Sequence, residues 1–347
     1  MFDKEKLARI IKLLFLYGSE DIVQLRTLIS DPELPSVLEW LRKELRLRIY
    51  PVGNYDILNL SQLVGNVKCS PLLNAKFIYD VTGGIAATVS KDIISPSSFY
   101  ISLFYPTGDE SYLTLFQRLA KNELCFSYEF HPVNEKLFYG QDYENFNFEN
   151  REFGPVKERS SLNIYKEKEI NPDYVPDWYD VIILGKKQER SDYSLREISA
   201  DTGLPFKEVV RHWTKHVQPN LIMAYNIWLF DSSFRVTVVH QRDLIRELVK
   251  IPTTNLTLCS NEHCYSAVYG QSNQLLPTLT FLSKLSSNNS DIGLYISPLS
   301  PKWEYTISGA IPYDYFTMDG KWNFDVDSII EKTEPLLMEG RKIVEND

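Results

Sequence analysis

One stretch, "SLREISADTGLPFKEVVRHWTKHV" at residues 194–217, constrains the fold more than any other part of the sequence. Its apolar residues have the spacing of two short helices, and Gly203 stands between them, where a turn favours the positive φ that glycine adopts without strain. Ser194 and Glu197 have the spacing of a capping box, and Pro205 suits the first turn of the second helix. The stretch therefore predicts a helix-turn-helix.

The sequence on either side extends this motif. Residues 178–187 predict a helix before it, and "LIMAYNIWLFDSSFRVTVVH" after it predicts a β-hairpin that turns near residues 231–233. Three helices followed by a hairpin is the order of a winged helix, a helix-turn-helix variant with a β wing.

The N-terminal region repeats that order. Helices are predicted over residues 6–18, 21–29 and 31–45, and "LRLRIYPVGNYDILNL" predicts a hairpin that turns at Gly53-Asn54. The recurrence, about half a chain apart, predicts an internal duplication.

A strand, a helix and a strand follow each of these units. In the first half they are predicted at residues 100–105, 110–120 and 125–130, and in the second half the helix is predicted at 274–285. This order is typical of half of a ferredoxin-like domain. We therefore predict an α+β protein with tandem winged-helix domains, each followed by a ferredoxin-like (βαβ) sandwich half-domain.

The same patterns set the predicted domain boundaries. They are a first winged helix at 1–65, a first α/β half-domain at 66–140, a linker or extended arm at 141–175, a second winged helix at 176–250, a second α/β half-domain at 251–325, and an acidic C-terminal helix at 326–347. We expect the last helix to be interrupted near Pro335 and to face solvent.

Net charge and its distribution bear on possible partners. The 347 residues carry a formal net charge of -9, which does not favour nucleic-acid binding. Residues 176–250, however, hold eleven Lys and Arg against ten Asp and Glu, so that region is nearly neutral. A local cationic face can bind phosphates whatever the total charge, and DNA binding is not excluded.

The chain has the features expected of a cytoplasmic protein. No apolar run approaches the roughly 18 to 20 residues that span a bilayer, and the N-terminal apolar segment is interrupted by Arg9 and Lys12, unlike a signal peptide. The four cysteines, Cys69, Cys125, Cys259 and Cys264, are scattered and are predicted to be reduced thiols. The spacing "CSNEHC" lacks the ligand pairing of a zinc site, so no metal site is predicted.

A cationic face on the second helix of the motif predicts contact with double-stranded DNA. Such a helix lies in the major groove, and Arg211 is the predicted base reader because a guanidinium can donate two hydrogen bonds to guanine. The predicted DNA-binding residues are Arg196, Lys207, Arg211, His212, Lys215 and His216 in the second unit, with Arg42, Lys43, Arg46 and Arg48 in the first. In the first unit, phosphate contact and a purely structural role both stay open.

The pattern "LREISADTGLPFKEVVRHW", followed by strand, helix and strand, resembles the Lrp/AsnC family of feast/famine regulators, which are common in archaea. The resemblance implies a helix-turn-helix that binds DNA and a ferredoxin-like domain that oligomerises and binds small effectors such as amino acids. It also implies an archaeal origin and either a fused pseudo-dimer or a homodimer. Two units in one polypeptide and long insertions depart from the family's pattern.

The sequence thus predicts a sequence-specific DNA-binding transcription regulator with a possible small-molecule effector, no cofactor, no membrane partner and no enzymatic activity. Two alternatives stay open. One is a winged-helix module that binds protein. The other is an enzyme, since another branch of the same fold works on tetrapyrroles. His212 and His216 lie four apart on one helical face and could serve there, although the sequence shows no evident partner carboxylate.

Overall fold

Two five-stranded antiparallel sheets and a layer of short helices make up this mixed α+β protein. The computed structural model describes residues 2–18, 32–158, 173–191, 193–229, 231–288, 292–300, 302 and 304–345. Within these ranges, no helix is both long enough and apolar enough to cross a membrane. The helix predicted at residues 21–29 lies outside the described residues.

The described helices and strands alternate along the chain. The helices are α1 (Lys4–Tyr17), α2 (Leu34–Leu45), α3 (Ala75–Val81), α4 (Leu113–Lys121), α5 (Trp178–Glu189), α6 (Leu195–Thr202), α7 (Phe206–His212), α8 (Ile245–Leu248), α9 (Ser272–Asn288) and α10 (Val326–Glu345), and a π-helix at Trp213–Leu221 continues α7. The strands are β1 (Arg48–Gly53), β2 (Leu60–Cys69), β3 (Ala86–Lys91), β4 (Ser98–Pro106), β5 (Cys125–Pro132), β6 (Glu135–Phe138), β7 (Phe146–Asn147), β8 (Glu152–Phe153), β9 (Ile222–Trp228), β10 (Phe234–His240), β11 (Thr254–Cys259), β12 (Cys264–Gly270), β13 (Gly293–Pro298) and β14 (Thr306–Ser308).

The two large sheets have equivalent strand orders. The first runs β14-β3-β4-β2-β5 and the second β6-β11-β12-β10-β13. In each, four consecutive strands come from one half of the chain, and the fifth, β14 or β6, comes from the other half. Each half therefore completes the sheet of the other.

Apolar residues divide between the two faces of these sheets. One face of the first sheet packs beneath α3, α4 and α10, and one face of the second packs beneath α9. The opposite faces meet each other, with Val64 and Tyr100 against Leu258 and Tyr265. The helices of the two predicted winged-helix units share a single separate core.

Both predicted wing hairpins are wrong. Strand β1 does not pair with β2; it pairs with β9, from Arg48 opposite Trp228 to Gly53 opposite Ile222. Strands β2 and β10 belong instead to the two large sheets, where both faces are covered. Alternating apolar residues predicted strands correctly, but such local alternation does not specify which strand is the partner.

Three further predictions need correction. The cysteines are not free thiols: Cys69 is bonded to Cys125 and Cys259 to Cys264, each pair facing across neighbouring strands. Helix α10 is unbroken and buries one side against α3 and α4. In the predicted linker, the described aromatic residues at 143–153 are packed into the helical core. Strand register and tertiary packing, which local spacing does not specify, decide all three cases.

Gly65, in the middle of β2, offers a test of the sheet packing. A Cβ atom there would lie 1.9 Å from the backbone oxygen of Glu129 on β5, and neither strand can move without breaking pairing. We expect Gly65→Ala to lower the free energy of urea unfolding by about 3 kcal/mol. Gly293→Ala is the control, because its Cβ would meet nothing closer than 3.4 Å. Equal stabilities for the two variants would contradict this packing.

His240 should make stability depend on pH. Burial lowers the pKa of its imidazole to about 4, and the neutral ring bonds the Gln241 carbonyl and the Ser266 hydroxyl. The unfolded chain, with an ordinary histidine pKa near 6.5, binds a proton that the folded chain does not. This contribution, about 3 kcal/mol, is therefore complete above pH 6.5 and is lost as the pH falls towards 4. His240→Gln should flatten the urea-unfolding profile in that window, and an unchanged slope would refute the assignment.

Candidate functional site: a buried carboxylate between two histidines

A buried carboxylate, Asp180, gathers three side chains near the start of α5. Its Oδ1 lies 2.7 Å from Nδ1 of His212 and 3.3 Å from Nδ1 of His216. Its Oδ2 accepts a hydrogen bond of 2.8 Å from the Tyr174 hydroxyl. The two histidine rings contact each other edge to face at 4.7 Å. We call these four residues the Asp180 cluster.

Helix capping fixes the carboxylate. Asp177 caps α5 and accepts from the Asp180 amide, while Asp180 accepts in return from the Asp177 amide, which completes a capping box. Such reciprocal bonds satisfy backbone donors at the first turn of a helix and hold both side chains in place. Asp180 thus has a structural role in addition to its contacts with the histidines.

The change from α-helix to π-helix sets the positions of the histidines. His212 ends α7, and His216 lies in the π-helix that follows. π-Helical segments are rare and occur often at functional sites. Ring stacking against Tyr179, at 4.8 Å, further fixes His212.

Arg211 determines which nitrogen of His212 carries the proton. Its Nη2 lies 2.7 Å from Nε2 of His212, and a guanidinium can only donate. Nε2 must therefore accept, so Nδ1 carries the hydrogen that is donated to Asp180. The chain Arg211–His212–Asp180 fixes the orientation of the His212 ring and the direction of both of its hydrogen bonds.

Solvent reaches the Asp180 cluster from one side. The side chain of Asp180 is 0% exposed and that of His212 is 2% exposed, whereas His216 is 31% exposed. Burial, and next the charge of Asp180, raise the pKa of Tyr174, which stays protonated and remains a donor. His216 is therefore the member best placed to exchange a proton with a bound molecule.

The same place could accommodate a divalent metal ion. Asp177, Asp180, His212 and His216 each offer one ligand atom, all within 4.8 Å of one another, as do Glu129, His131 and Glu262 elsewhere. Imidazole and carboxylate together suit zinc. In this structure, however, the 2.7 Å contact between Asp180 and His212 has the length of a direct hydrogen bond. The cluster is satisfied as a hydrogen-bonded network.

Several of the predicted DNA-binding residues are buried or bonded to other side chains of this protein, whereas DNA contact needs exposed donors. Arg211 bonds Glu208 as well as His212, which occupies its guanidinium, and His212 is buried. Lys207 and Lys215 are exposed on the same helical segment. Among the other predicted residues, the Arg196 guanidinium stacks over Phe206, Lys43 pairs with Glu39, Arg46 and Arg48 both pair with Asp231, and Arg42 is exposed on α2.

The sequence analysis found both histidines but missed Tyr174, Asp177 and Asp180. These lie 32 or more positions before His212, too far for a spacing rule to connect them. One signal was available: Asp177 and Asp180 have capping-box spacing at the start of a predicted helix. That pattern predicts a helix end and gives no indication of which side chains will pack beside it.

Comparisons with known proteins give structural likenesses alone. No family model and no curated protein matches the sequence. The crystal structure of the siroheme decarboxylase NirDL is similar with a TM-score of 0.49 and 10% identity, covering 97% of this chain and 98% of that chain. The same enzyme in co-complex with an iron-uroporphyrin III analogue gives a TM-score of 0.47 and 10% identity, covering 97% and 99%.

The prediction of a DNA-binding transcription regulator without enzymatic activity is wrong. The similar solved structures are of an enzyme. Within this chain, one strand from each predicted wing, β1 and β9, pair with each other, and the predicted base reader Arg211 is bonded to Glu208 and His212. Double-stranded DNA therefore has no support as a partner.

Asp180→Asn should show how far the cluster depends on the carboxylate. The amide removes the charge that accepts from His212 and Tyr174 and leaves a buried donor against an imidazole N–H, so unfolding free energy should fall by about 2–4 kcal/mol. Asp177→Asn is the matched control, since asparagine caps helices as well as aspartate does. Urea denaturation of both variants measures the difference, and equal losses would show that only capping matters.

Proposed function

We propose that this chain is an enzyme that delivers a proton at the Asp180 cluster to a carboxylate-bearing substrate in a decarboxylation. One observation carries the proposal: a fully buried carboxylate contacts a buried histidine and a half-exposed histidine at once. The carboxylate contacts Nδ1 of both imidazoles and so fixes the orientation of both rings. His216, the exposed member, is the proposed proton donor, and Asp180 and His212 position it.

The cations beside the cluster support an anionic substrate. Lys207 and Lys215, eight positions apart, are exposed on the segment that carries His212 and His216. Cations at this spacing share a helix face, where they can bind several carboxylates of one molecule. The face first interpreted as binding phosphates of DNA fits a polycarboxylate equally well in charge.

Decarboxylation needs the chemistry that these residues offer. The bond between the substrate carbon and its carboxylate breaks, carbon dioxide leaves, and the electron pair left on carbon takes one proton. Cations hold the remaining carboxylates, and a histidine side chain supplies that proton. A carboxylate-bearing tetrapyrrole belongs to this substrate class, and tetrapyrrole enzymes occur in a branch of the fold that the sequence resembles.

The mixed α+β architecture also suggests how the chain arose. We propose an Lrp-like chain that arose by duplication of a helical unit followed by a ferredoxin-like unit. The equivalent order of the two sheets and the exchange of β6 and β14 support it. In this proposal the wings have become the single strands β1 and β9. Archaeal origin and dimerisation stay predictions.

Iron-uroporphyrin III is the first substrate to test. Absorption of the macrocycle would measure binding, and mass spectrometry would count the carboxylates lost. We expect His216→Gln to bind within a few-fold of wild type and to react about 10²–10⁴-fold more slowly. The double variant Lys207→Gln with Lys215→Gln should bind more weakly, whereas Lys284→Gln, an exposed lysine on α9, should not.

Two outcomes would overturn the proposal. Recovery of the macrocycle unchanged after incubation with wild-type protein would remove the activity, and an unchanged rate in His216→Gln would remove the assigned donor. Dialysis of the wild-type protein against EDTA before the activity assay tests whether the reaction needs a bound metal ion. Proton delivery by the cluster itself predicts a rate that the chelator does not change.

A further inference from the structure

The layer between the two large sheets contains a buried cation. Arg235 on β10 is 4% exposed. It lies on the face of its strand that also presents Val239 to the first sheet. No ion pair joins it to a carboxylate anywhere in the described part of the chain. Arginine is almost never buried without a counter-charge, because removing it from water is costly.

Aromatic rings surround the guanidinium. It lies 5.0 Å from the ring centre of Tyr100 on the first sheet and 5.7 Å from that of Tyr269 on its own sheet. Burial raises the pKa of Tyr100 to about 12, so this hydroxyl is neutral at working pH. The Tyr100 hydroxyl also accepts from the Arg235 side chain, and ring faces attract a cation, but neither the hydroxyl nor the rings neutralise its charge.

Unpartnered polar atoms collect in the same layer. Nε of Arg235 and Oγ1 of Thr237 are buried without a hydrogen-bond partner on the second sheet. On the first sheet, Oδ1 of Asn66 and Oγ of Ser90 are buried without one. Asn66 and Ser90 are the direct neighbours of Tyr100 across the strands on either side. The unpaired groups of the first sheet therefore flank the ring that contacts Arg235.

We propose that a small carboxylate of the size of formate or acetate binds at Arg235 between the two sheets. The guanidinium would donate to the carboxylate oxygens from its planar fork. The hydroxyls of Thr237 and Ser90 are further donors, and Asn66 can turn its amide to present N–H. The anion supplies the missing counter-charge and links the two halves of the chain. This site uses none of the residues of the Asp180 cluster and does not depend on the proposed enzymatic function.

Crystals grown in formate and then soaked in bromide would locate the anion directly. An anomalous peak within hydrogen-bond distance of the Arg235 guanidinium, at the position that formate holds before the soak, is the expected result. Ordered water alone at that position in both crystals would overturn the proposal.

Thermal unfolding at constant ionic strength tests the site in solution. Formate should raise the melting temperature of wild-type protein in a saturable way, since a ligand that binds only the folded chain stabilises it by mass action. Arg235→Lys, which keeps the charge and loses the fork, should need about tenfold more formate for the same shift. Arg246→Gln, at an exposed position on α8, should respond as wild type does.

Arg235→Gln should lose the response to formate altogether. If that variant does not fold, the comparison of wild type with Arg235→Lys still decides the question. An equal response in wild type and Arg235→Lys, or the absence of any response in wild type, would show that no carboxylate is bound by this fork.

Discussion

Exchange of strands between the two halves of the chain is the constraint on which the rest of the structure depends. Strand β14 completes the first sheet and β6 the second, while β1 pairs with β9 between the two helical units. Since every edge exchange satisfies backbone groups that would otherwise be unpaired, neither half can leave without exposing a sheet edge. The halves therefore form one cooperative body, and side chains from opposite halves can be held at fixed distances.

Buried charge is tolerated where packing holds its partners in place. Asp180 is fully buried, yet two histidines, a tyrosine and a backbone amide satisfy it. Arg235 is buried almost as deeply, but its described partners are the rings of Tyr100 and Tyr269 and the Tyr100 hydroxyl, with no ion pair to a carboxylate. A fully bonded buried ion contributes to a unique arrangement, whereas an unpaired one calls for an external partner. Asp180 is therefore interpreted as part of a preformed hydrogen-bonded site, and Arg235 as a binding site for an external anion.

Local signals predicted local structure well. The capping box of Ser194 with Glu197 and the left-handed Gly203 occur where their spacing predicted them, because both depend on residues a few positions apart. Strand partners were not predictable in the same way. The alternation in β1 and β9 predicts extended chain, but their pairing joins positions about 180 residues apart, and only the shared helical core selects it. The two disulfides were missed because each depends on strand register, even though Cys259 and Cys264 are only five positions apart.

The function of the cationic helix could not be decided from its own sequence. Lys207, Arg211 and Lys215 satisfy the pattern of a DNA-reading helix, and the sequence does not reveal that Glu208 and His212 bond the Arg211 guanidinium. What changes it is Asp180, which approaches from another helix and takes His212 and His216 as partners. His212 is buried against the carboxylate and cannot reach a base, whereas His216 is partly exposed beside Lys215, which is the arrangement that the proposed anionic substrate requires. The same charge pattern therefore serves different chemistry according to what lies beneath it, and that depends on tertiary packing that no local pattern contains.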